Sequence, residues 1–133
     1  MNSPLSPLSP LSIAEASAAT GLSAHTLRYY EQIGLIASID RRSGARRYSA
    51  DDMRWLEFLV RLRATGMSMR DMQRYATLLR EGQTPESVAE RQAMLERHAE
   101  QLETDLERIG DTLAYIRQKI RGYQDQQALP RRA

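Results

Sequence analysis

At 133 residues the chain is long enough for one ordinary domain, or for a small domain with an appended helix, but not for two separate hydrophobic cores. It contains no cysteine, which excludes a disulfide framework, a thiolate zinc site and a nucleophilic thiol. The net charge is only +2, so the distribution of charge along the chain says more about binding partners than its total does.

The sequence also bears on the compartment. No apolar run approaches the roughly 18 residues that a membrane-spanning helix needs, and the N-terminus lacks the basic start and apolar core of a signal peptide. We therefore expect a cytoplasmic protein with no membrane partner.

The chain begins with a three-residue repeat, and residues 3–12 read SPLSPLSPLS. Each proline lacks an N–H group and biases the preceding residue away from the helical conformation. We expect a disordered tail over residues 1–11, and its role stays open between an inert tail and a proline-motif ligand.

Five helices are predicted from their capping residues. Hydroxyl side chains that can cap a helix N-terminus precede five segments: Ser12, Ser23, Ser49, Ser68 and Thr84. Glycines that can end a helix in the left-handed conformation are Gly34, Gly66 and Gly82. The predicted helices cover residues 12–19, 23–33, 50–65, 68–81 and 85–123.

Between the second and third helices lies the segment IASIDRRSGARRYS, in which Ser43 and Gly44 form a turn. The flanking residues predict a short two-stranded hairpin, which must lean on the helices to be stable. The order helix, turn, helix, hairpin predicts a winged helix-turn-helix head over residues 12–82, in a mainly α fold.

The second helix has two different faces. One face is apolar and consists of Leu27, Tyr30 and Ile33. The other offers hydrogen-bond donors for phosphates and base edges and consists of His25, Arg28, Tyr29 and Gln32. Tyr30 is therefore predicted in the core and Tyr29 on a surface that enters a DNA groove, the alternative being an ordinary solvated face.

The hairpin favours the DNA interpretation. Arg41 and Arg42 precede the turn, Arg46 and Arg47 follow it, and Asp40 is the acid nearest to them in the sequence. Guanidinium groups concentrated in this way bind phosphate well but pack poorly against the protein itself.

The last predicted helix carries two apolar rows, each repeating every seven residues, which is typical of a coiled coil. Such a seam needs a partner helix, and a second copy of the chain is expected rather than packing against its own head. Residues 83–123 are therefore predicted as a dimerisation helix, and residues 124–133 as a flexible tail. The expected dimer contacts are Val88, Leu95, Leu102, Leu106, Ile109, Leu113, Ile116 and Ile120.

Two stretches resemble the mercury-resistance regulator (MerR) family of bacterial transcription regulators. They read IAEASAATGLSAHTLRYYEQIGLI and RRSGARRYSADDMRWLEFLVRLRATGMSMRDM, and they cover about residues 13–72. The elements TLRYYE, G-x-R-x-Y and LRATGMS occur in the family's order and spacing.

The resemblance implies a homodimer with antiparallel C-terminal helices that binds a pseudo-palindromic promoter site with an overlong spacer. It implies that the protein bends and untwists this DNA so that RNA polymerase can engage, which is a form of indirect readout. The alternative is an architectural winged-helix protein that bends DNA without a direct role in transcription.

The family's DNA contacts correspond to Thr26, Arg28 and Tyr29 in the second helix, and to Arg46 and Tyr48 in the hairpin. By the same resemblance, Arg63 reaches the DNA backbone from the end of the third helix. Three further candidates are His25 as a base reader at a variable family position, and Arg42 and Arg47 as phosphate contacts from the charge argument.

The chain departs from the family pattern at two positions. Ala45 replaces the usual aromatic residue after the hairpin glycine, and Arg61 stands where related regulators often carry a sensor cysteine. Sensing through that thiol is therefore not expected, and the sequence names no small-molecule effector.

An enzyme is not expected. The only two histidines are His25 and His98, on elements predicted to lie far apart, and there is no glycine-rich phosphate loop. We accordingly expect no catalytic residue, no cofactor and no metal site.

Overall fold

The computed structural model describes residues 9–130. The elements in chain order are α1 (Ile13–Thr20), α2 (Ala24–Gln32), β1 (Arg41–Arg42), β2 (Ala45–Arg46), α3 (Ala50–Ala64), α4 (Met69–Arg80) and α5 (Pro85–Ala128). The mainly α fold, the helix-turn-helix and the hairpin are therefore as predicted. The chain divides after Gln92 into two compact units, and residues 9–92 of the first unit are called the head below.

The helix starts follow the predicted capping chemistry. In four helices the capping serine accepts a hydrogen bond from the backbone N–H three residues later: Ser12, Ser23, Ser49 and Ser68. For α5, Thr84 Oγ1 accepts from the backbone N–H of Ser87 at 3.1 Å. Each such bond satisfies one of the free N–H groups at a helix start.

The N-terminal boundary differs from the prediction. Leu11 pairs with Tyr48 in an isolated antiparallel bridge, with an N–H···O bond of 2.8 Å in each direction. The prediction of a disordered tail over residues 1–11 is therefore wrong for Leu11, because the backbone of Leu11 is paired with that of Tyr48, which follows the hairpin. Residues 1–8 of that tail lie outside the described residues.

The C-terminal boundary differs as well. Helix α5 continues to Ala128, so the prediction of a flexible tail from residue 124 is wrong for residues 124–128. The segment Gln124-Asp125-Gln126-Gln127-Ala128 contains no glycine or proline, so nothing in it interrupts a helix that is already formed. The helix ends two residues before Pro130, where proline disfavours the helical conformation of its predecessor.

The core of the head takes apolar side chains from α1, α2, the loops and α3 and α4. In α3 the buried residues recur every three positions: Met53, Leu56, Leu59 and Leu62. Their partners in the core include Leu27, Tyr30, Leu35, Ile39, Tyr48 and Met72. Burial of each large apolar side chain contributes about 1.5–3 kcal/mol, which fixes α2 and the hairpin on this core.

The second unit, from Ala93 onward, contains most of the 44-residue helix α5. Its apolar rows are solvent-exposed in the single chain at Leu106, Ile109, Leu113, Ile116 and Ile120. No helix among residues 9–130 is both long enough and apolar enough to cross a lipid bilayer.

Candidate nucleic-acid interface

Helix α2 has the two faces that its sequence predicts. Leu27 and Tyr30 are buried, and the Tyr30 side chain is only 2% exposed. On the opposite side His25, Arg28 and Tyr29 are exposed, with Tyr29 at 48%. The assignment of Tyr30 to the core and Tyr29 to the surface is therefore confirmed.

Three side chains from α3 and α4 hold the C-terminal end of α2. Trp55 Nε1 donates to the carbonyl of Leu35 at 3.0 Å, and Arg80 Nη1 donates to the carbonyl of Gly34 at 2.7 Å. Gln73 Nε2 makes a longer contact of 3.5 Å to the carbonyl of Ile33. These carbonyls belong to the three residues that directly follow α2, so the donors satisfy them and fix how the chain leaves this helix.

A fourth contact joins α3 to the last turn of α2. Arg63 Nη1 donates to the hydroxyl of Tyr30 at 2.9 Å. Tyr30 therefore anchors α2 twice, through its buried ring and through its hydroxyl. Sequence reasoning missed all these donors, and the only signal for them was the unpaired carbonyls expected at the predicted end of α2.

The hairpin consists of two antiparallel strands of two residues each, joined by a two-residue turn. Arg41 pairs with Arg46 and Arg42 pairs with Ala45. Ser43 and Gly44 have φ values of 52° and 79°, and this pair of left-handed residues is typical of a turn whose twist matches that of the two strands. The turn places Arg41 and Arg42 at exposed positions.

Glu31 connects the hairpin to α2. Its Oε1 accepts from Arg46 Nε at 2.8 Å, and its Oε2 accepts from the backbone N–H of Ile39 at 3.3 Å. Burial by itself would raise the pKa of Glu31, but the hydrogen bonds from Arg46 and Ile39 and the charges of Arg46 and Arg41 outweigh it and hold this pKa below its ordinary value. Glu31 is therefore a carboxylate at this surface.

A cleft of about 510 Å³ lies between α2 and the hairpin. Its lining residues are His25, Arg28, Tyr29, Glu31, Gln32, Ser38, Arg41 and Arg46. The structure thus brings four predicted site residues together on one surface, namely His25, Arg28, Tyr29 and Arg46. We call this cleft with the exposed arginines of the hairpin the DNA-facing surface, after the DNA contacts that the sequence predicts for it.

Tyr48 is buried in the core, whereas the sequence analysis predicted that it contacts DNA. Its side chain is 0% exposed, and its hydroxyl is buried and has no hydrogen-bond partner among residues 9–130. Burial raises the pKa of Tyr48. A direct DNA contact by this hydroxyl is not available in this conformation, because the ring belongs to the core and only the backbone of Tyr48 takes part in the bridge to Leu11.

The other predicted residues do not line the cleft. Thr26 is half-buried, and its hydroxyl accepts from Ser23 Oγ at 2.9 Å. Arg63 is bonded to Tyr30, whereas Arg42 is exposed and Arg47 half-buried in the hairpin region. Within residues 9–130, no three His, Cys, Asp or Glu side chains are grouped closely enough to hold a metal ion.

Comparison with known proteins agrees with this geometry. Residues 11–90 match the MerR HTH family of regulatory proteins. The HTH-type transcriptional regulator AdhR of Bacillus subtilis is 44% identical over 71 residues, which cover 53% of this chain and 51% of AdhR. The chain therefore matches about half the length of that relative.

Two longer matches cover more than four fifths of the chain. An uncharacterized HTH-type transcriptional regulator of Haemophilus influenzae is 32% identical over 117 residues, which are 87% of this chain and 85% of that protein. The crystal structure of HiNmlR, a MerR-family regulator lacking the sensor domain and bound to promoter DNA, covers 90% of this chain and 94% of its own with a TM-score of 0.80 and 30% identity. The chain is a member of the MerR family, a DNA-binding transcriptional regulator and not an enzyme.

Proposed function

We propose that the DNA-facing surface binds promoter DNA, with α2 in the major groove and the hairpin on the adjacent phosphate backbone. The observation that carries this proposal is the single cleft in which exposed side chains of α2 meet the arginines of the hairpin. The MerR-family relative HiNmlR, solved on promoter DNA, has the same fold over most of its length and supports the proposal.

The proposed DNA contacts are one contact to a base and several contacts to the phosphate backbone. His25, near the capped start of α2, is the proposed base reader, because residues early in a recognition helix face the base edges. The proposed backbone contacts are Thr26, Arg28, Tyr29, Arg42, Arg46, Arg47 and Arg63. Phosphate contacts of this kind fix register and supply most of the salt-dependent affinity.

The proposed functional unit is a homodimer of antiparallel α5 helices. The support is the row of large apolar side chains that α5 exposes to water in the single chain, from Leu106 at 69% to Leu113 at 46% exposure. A patch of this length is rare on a monomeric protein and fits a second copy of the same row.

Two heads related by a dimer axis would bind two half-sites, so the proposed operator is pseudo-palindromic. We further propose that the dimer bends and untwists an overlong promoter spacer to let RNA polymerase engage. Deforming the DNA costs several kcal/mol, which the phosphate contacts of two heads offset. This part of the proposal rests on the family to which the chain belongs.

The test uses Arg28→Ala and Arg46→Ala, compared with Arg61→Ala as the control. Arg61 is an exposed α3 residue paired with Glu57 at 3.1 Å, and it lies outside the cleft. We expect the first two variants to lose specific binding to promoter fragments selected from genomic DNA, while sedimentation shows an unchanged assembly. Wild-type affinity in both variants, or fragments with no shared two-fold symmetric site, would contradict the proposal.

A further inference from the structure

The DNA-facing surface contains a carboxylate, which is unexpected for a surface that binds a polyanion. Glu31 lines the cleft from α2, and its side chain is 12% exposed. A carboxylate close to phosphates repels them, so an acid at this place must either weaken DNA binding or contribute in another way.

Both oxygens of Glu31 are engaged by the hairpin and its approach. One oxygen accepts from Arg46 Nε and the other from the backbone N–H of Ile39, the residue two positions before β1 begins. The carboxylate therefore connects α2 at once to the strand that leads into the turn and to the strand that returns from it.

The bond to Arg46 uses only the Nε–H of the guanidinium. The two terminal nitrogens, with four further N–H groups, are not used in this bond and can reach phosphate oxygens. The Arg46 side chain keeps 21% of its surface exposed. An arginine side chain has many rotamers, and fixing one of them on binding costs entropy. Because Glu31 already holds the Nε of Arg46, most of this entropy is lost before DNA binds.

We propose that Glu31 is a positioning residue for DNA binding, which holds Arg46 and the base of the hairpin against α2 so that the guanidinium and the recognition helix meet the DNA together. This inference rests on the proposed role of the DNA-facing surface. Since the backbone of Arg46 pairs with that of Arg41 across the hairpin, the same contact also helps to hold the backbone of Arg41 in place.

The inference predicts the sign of a mutational effect. If Glu31 only adds negative charge, Glu31→Gln removes repulsion and tightens DNA binding. If Glu31 positions Arg46, the same change weakens binding despite the loss of a negative charge, because glutamine has one oxygen acceptor where the carboxylate has two. Glu31→Ala, which loses both bonds, should weaken binding further.

The experiment measures fluorescence anisotropy of a labelled promoter duplex, chosen by the selection described above, with the full chain. We expect affinity to fall about three- to tenfold for Glu31→Gln and more for Glu31→Ala. Glu57→Gln removes an exposed, arginine-paired carboxylate from α3 and should stay within about twofold of wild type, as expected for an exposed ion pair.

Two further readouts separate positioning from a general structural effect. In an Arg46→Ala background, Glu31→Gln should weaken binding clearly less than it does in the wild type, because only the bond to the backbone of Ile39 is left to lose. The slope of log affinity against log salt should stay at the wild-type value for Glu31→Gln and fall by about one for Arg46→Ala.

Tighter binding by Glu31→Gln would overturn the inference, and so would an equal loss in the two backgrounds. If Arg46→Ala itself keeps wild-type affinity and salt slope, the proposed hairpin contact is wrong and the inference falls with it. That result differs from a failure of the inference alone, in which Arg46→Ala is weak and Glu31→Gln is not.

Discussion

Tyr29 and Tyr30 are neighbours in the sequence with opposite environments. The ring of Tyr30 is buried and its hydroxyl accepts from Arg63, whereas nearly half of Tyr29 is exposed beside Arg28. A helix turns about 100° per residue, so adjacent residues at the edge of the core separate in this way. Substitutions at the two tyrosines can therefore separate an effect on folding stability from an effect on DNA binding.

We expect Tyr30→Ala to lower the free energy of unfolding of the head by about 3–5 kcal/mol, because it leaves a cavity where the buried ring was. Tyr29→Phe should leave the unfolding curve unchanged and weaken DNA binding modestly. Chemical denaturation and anisotropy measure the two effects. If Tyr29→Phe destabilises the head or Tyr30→Ala does not, the assignment of faces is wrong.

Tyr48 supplies a prediction about alkaline pH. Its folded pKa is raised by burial, so the neutral ring contributes stability that is complete below the unfolded pKa and is lost as the pH rises through the folded pKa. Stability should therefore fall above about pH 10, the ordinary tyrosine value.

Tyr48→Phe should reduce this alkaline loss. At neutral pH it should raise the free energy of unfolding by about 1 kcal/mol, because the buried hydroxyl finds no partner in the described part of the chain. Denaturation at several pH values, with Tyr115→Phe on the exposed part of α5 as the control, measures both effects. A loss of DNA affinity in Tyr48→Phe would show instead that this hydroxyl becomes accessible on the complex.

At the scale of elements, α2 depends on α3 and α4 for its direction. Arg80 on α4 donates to the carbonyl of Gly34, and Ser87 at the start of α5 donates to the carbonyl of Leu78 at 2.6 Å. Arg74 and Glu90 add an ion pair of 2.9 Å between α4 and the first turns of α5. Within the head, a short chain of contacts therefore connects the first turns of α5 to the segment that follows α2.

We expect Arg80→Ala to destabilise the head by about 1–2 kcal/mol and to weaken DNA binding, since a partly exposed carbonyl loses a charge-assisted hydrogen bond and the end of α2 is less constrained. Arg70→Ala, an exposed position on the same helix, is the control. Thermal unfolding and anisotropy are the measurements. Equal effects of the two substitutions would rule out a specific role for the Arg80 bond.

The sequence predicted most elements because their signals are local. Serine caps, the turn at Ser43 and Gly44, and the 3.6-residue period of α2 all lie within a few neighbouring residues. The pair between Glu31 and Arg46 joins residues 15 positions apart, so no local pattern announces it. Tyr48 was placed on the DNA by resemblance to the family, and nothing local distinguished a surface ring from the buried ring observed.

At the scale of the whole molecule, the exposed row on α5 bears on the proposed homodimer. The residues from Leu106 to Ile120 present large apolar side chains to water in the single chain. If a second copy covers them, folding and association are coupled, and the midpoint of thermal unfolding depends on protein concentration.

We expect Ile116→Glu to shift the sedimentation of the full chain from dimer to monomer, because a charge in the seam is left without solvent or partner in the dimer. Glu103→Gln, an exposed polar position on the same helix, should have no such effect. DNA affinity should fall in the first variant, since two linked heads bind with a high effective concentration. A dimer that persists in Ile116→Glu would place the interface elsewhere.

The turn at the tip of the hairpin has a consequence for how such a regulator can be tuned over evolutionary time. Ser43 adopts a left-handed conformation, which costs a residue with a Cβ about 1 kcal/mol or more and is tolerated better by asparagine. An exchange of Ser43 for asparagine would stiffen the tip without moving any arginine. If the hairpin binds phosphates as proposed, its contacts carry no sequence information, and the affinity for all operators would then rise by a similar factor. The strength of the response could change in this way while the set of target promoters stayed the same.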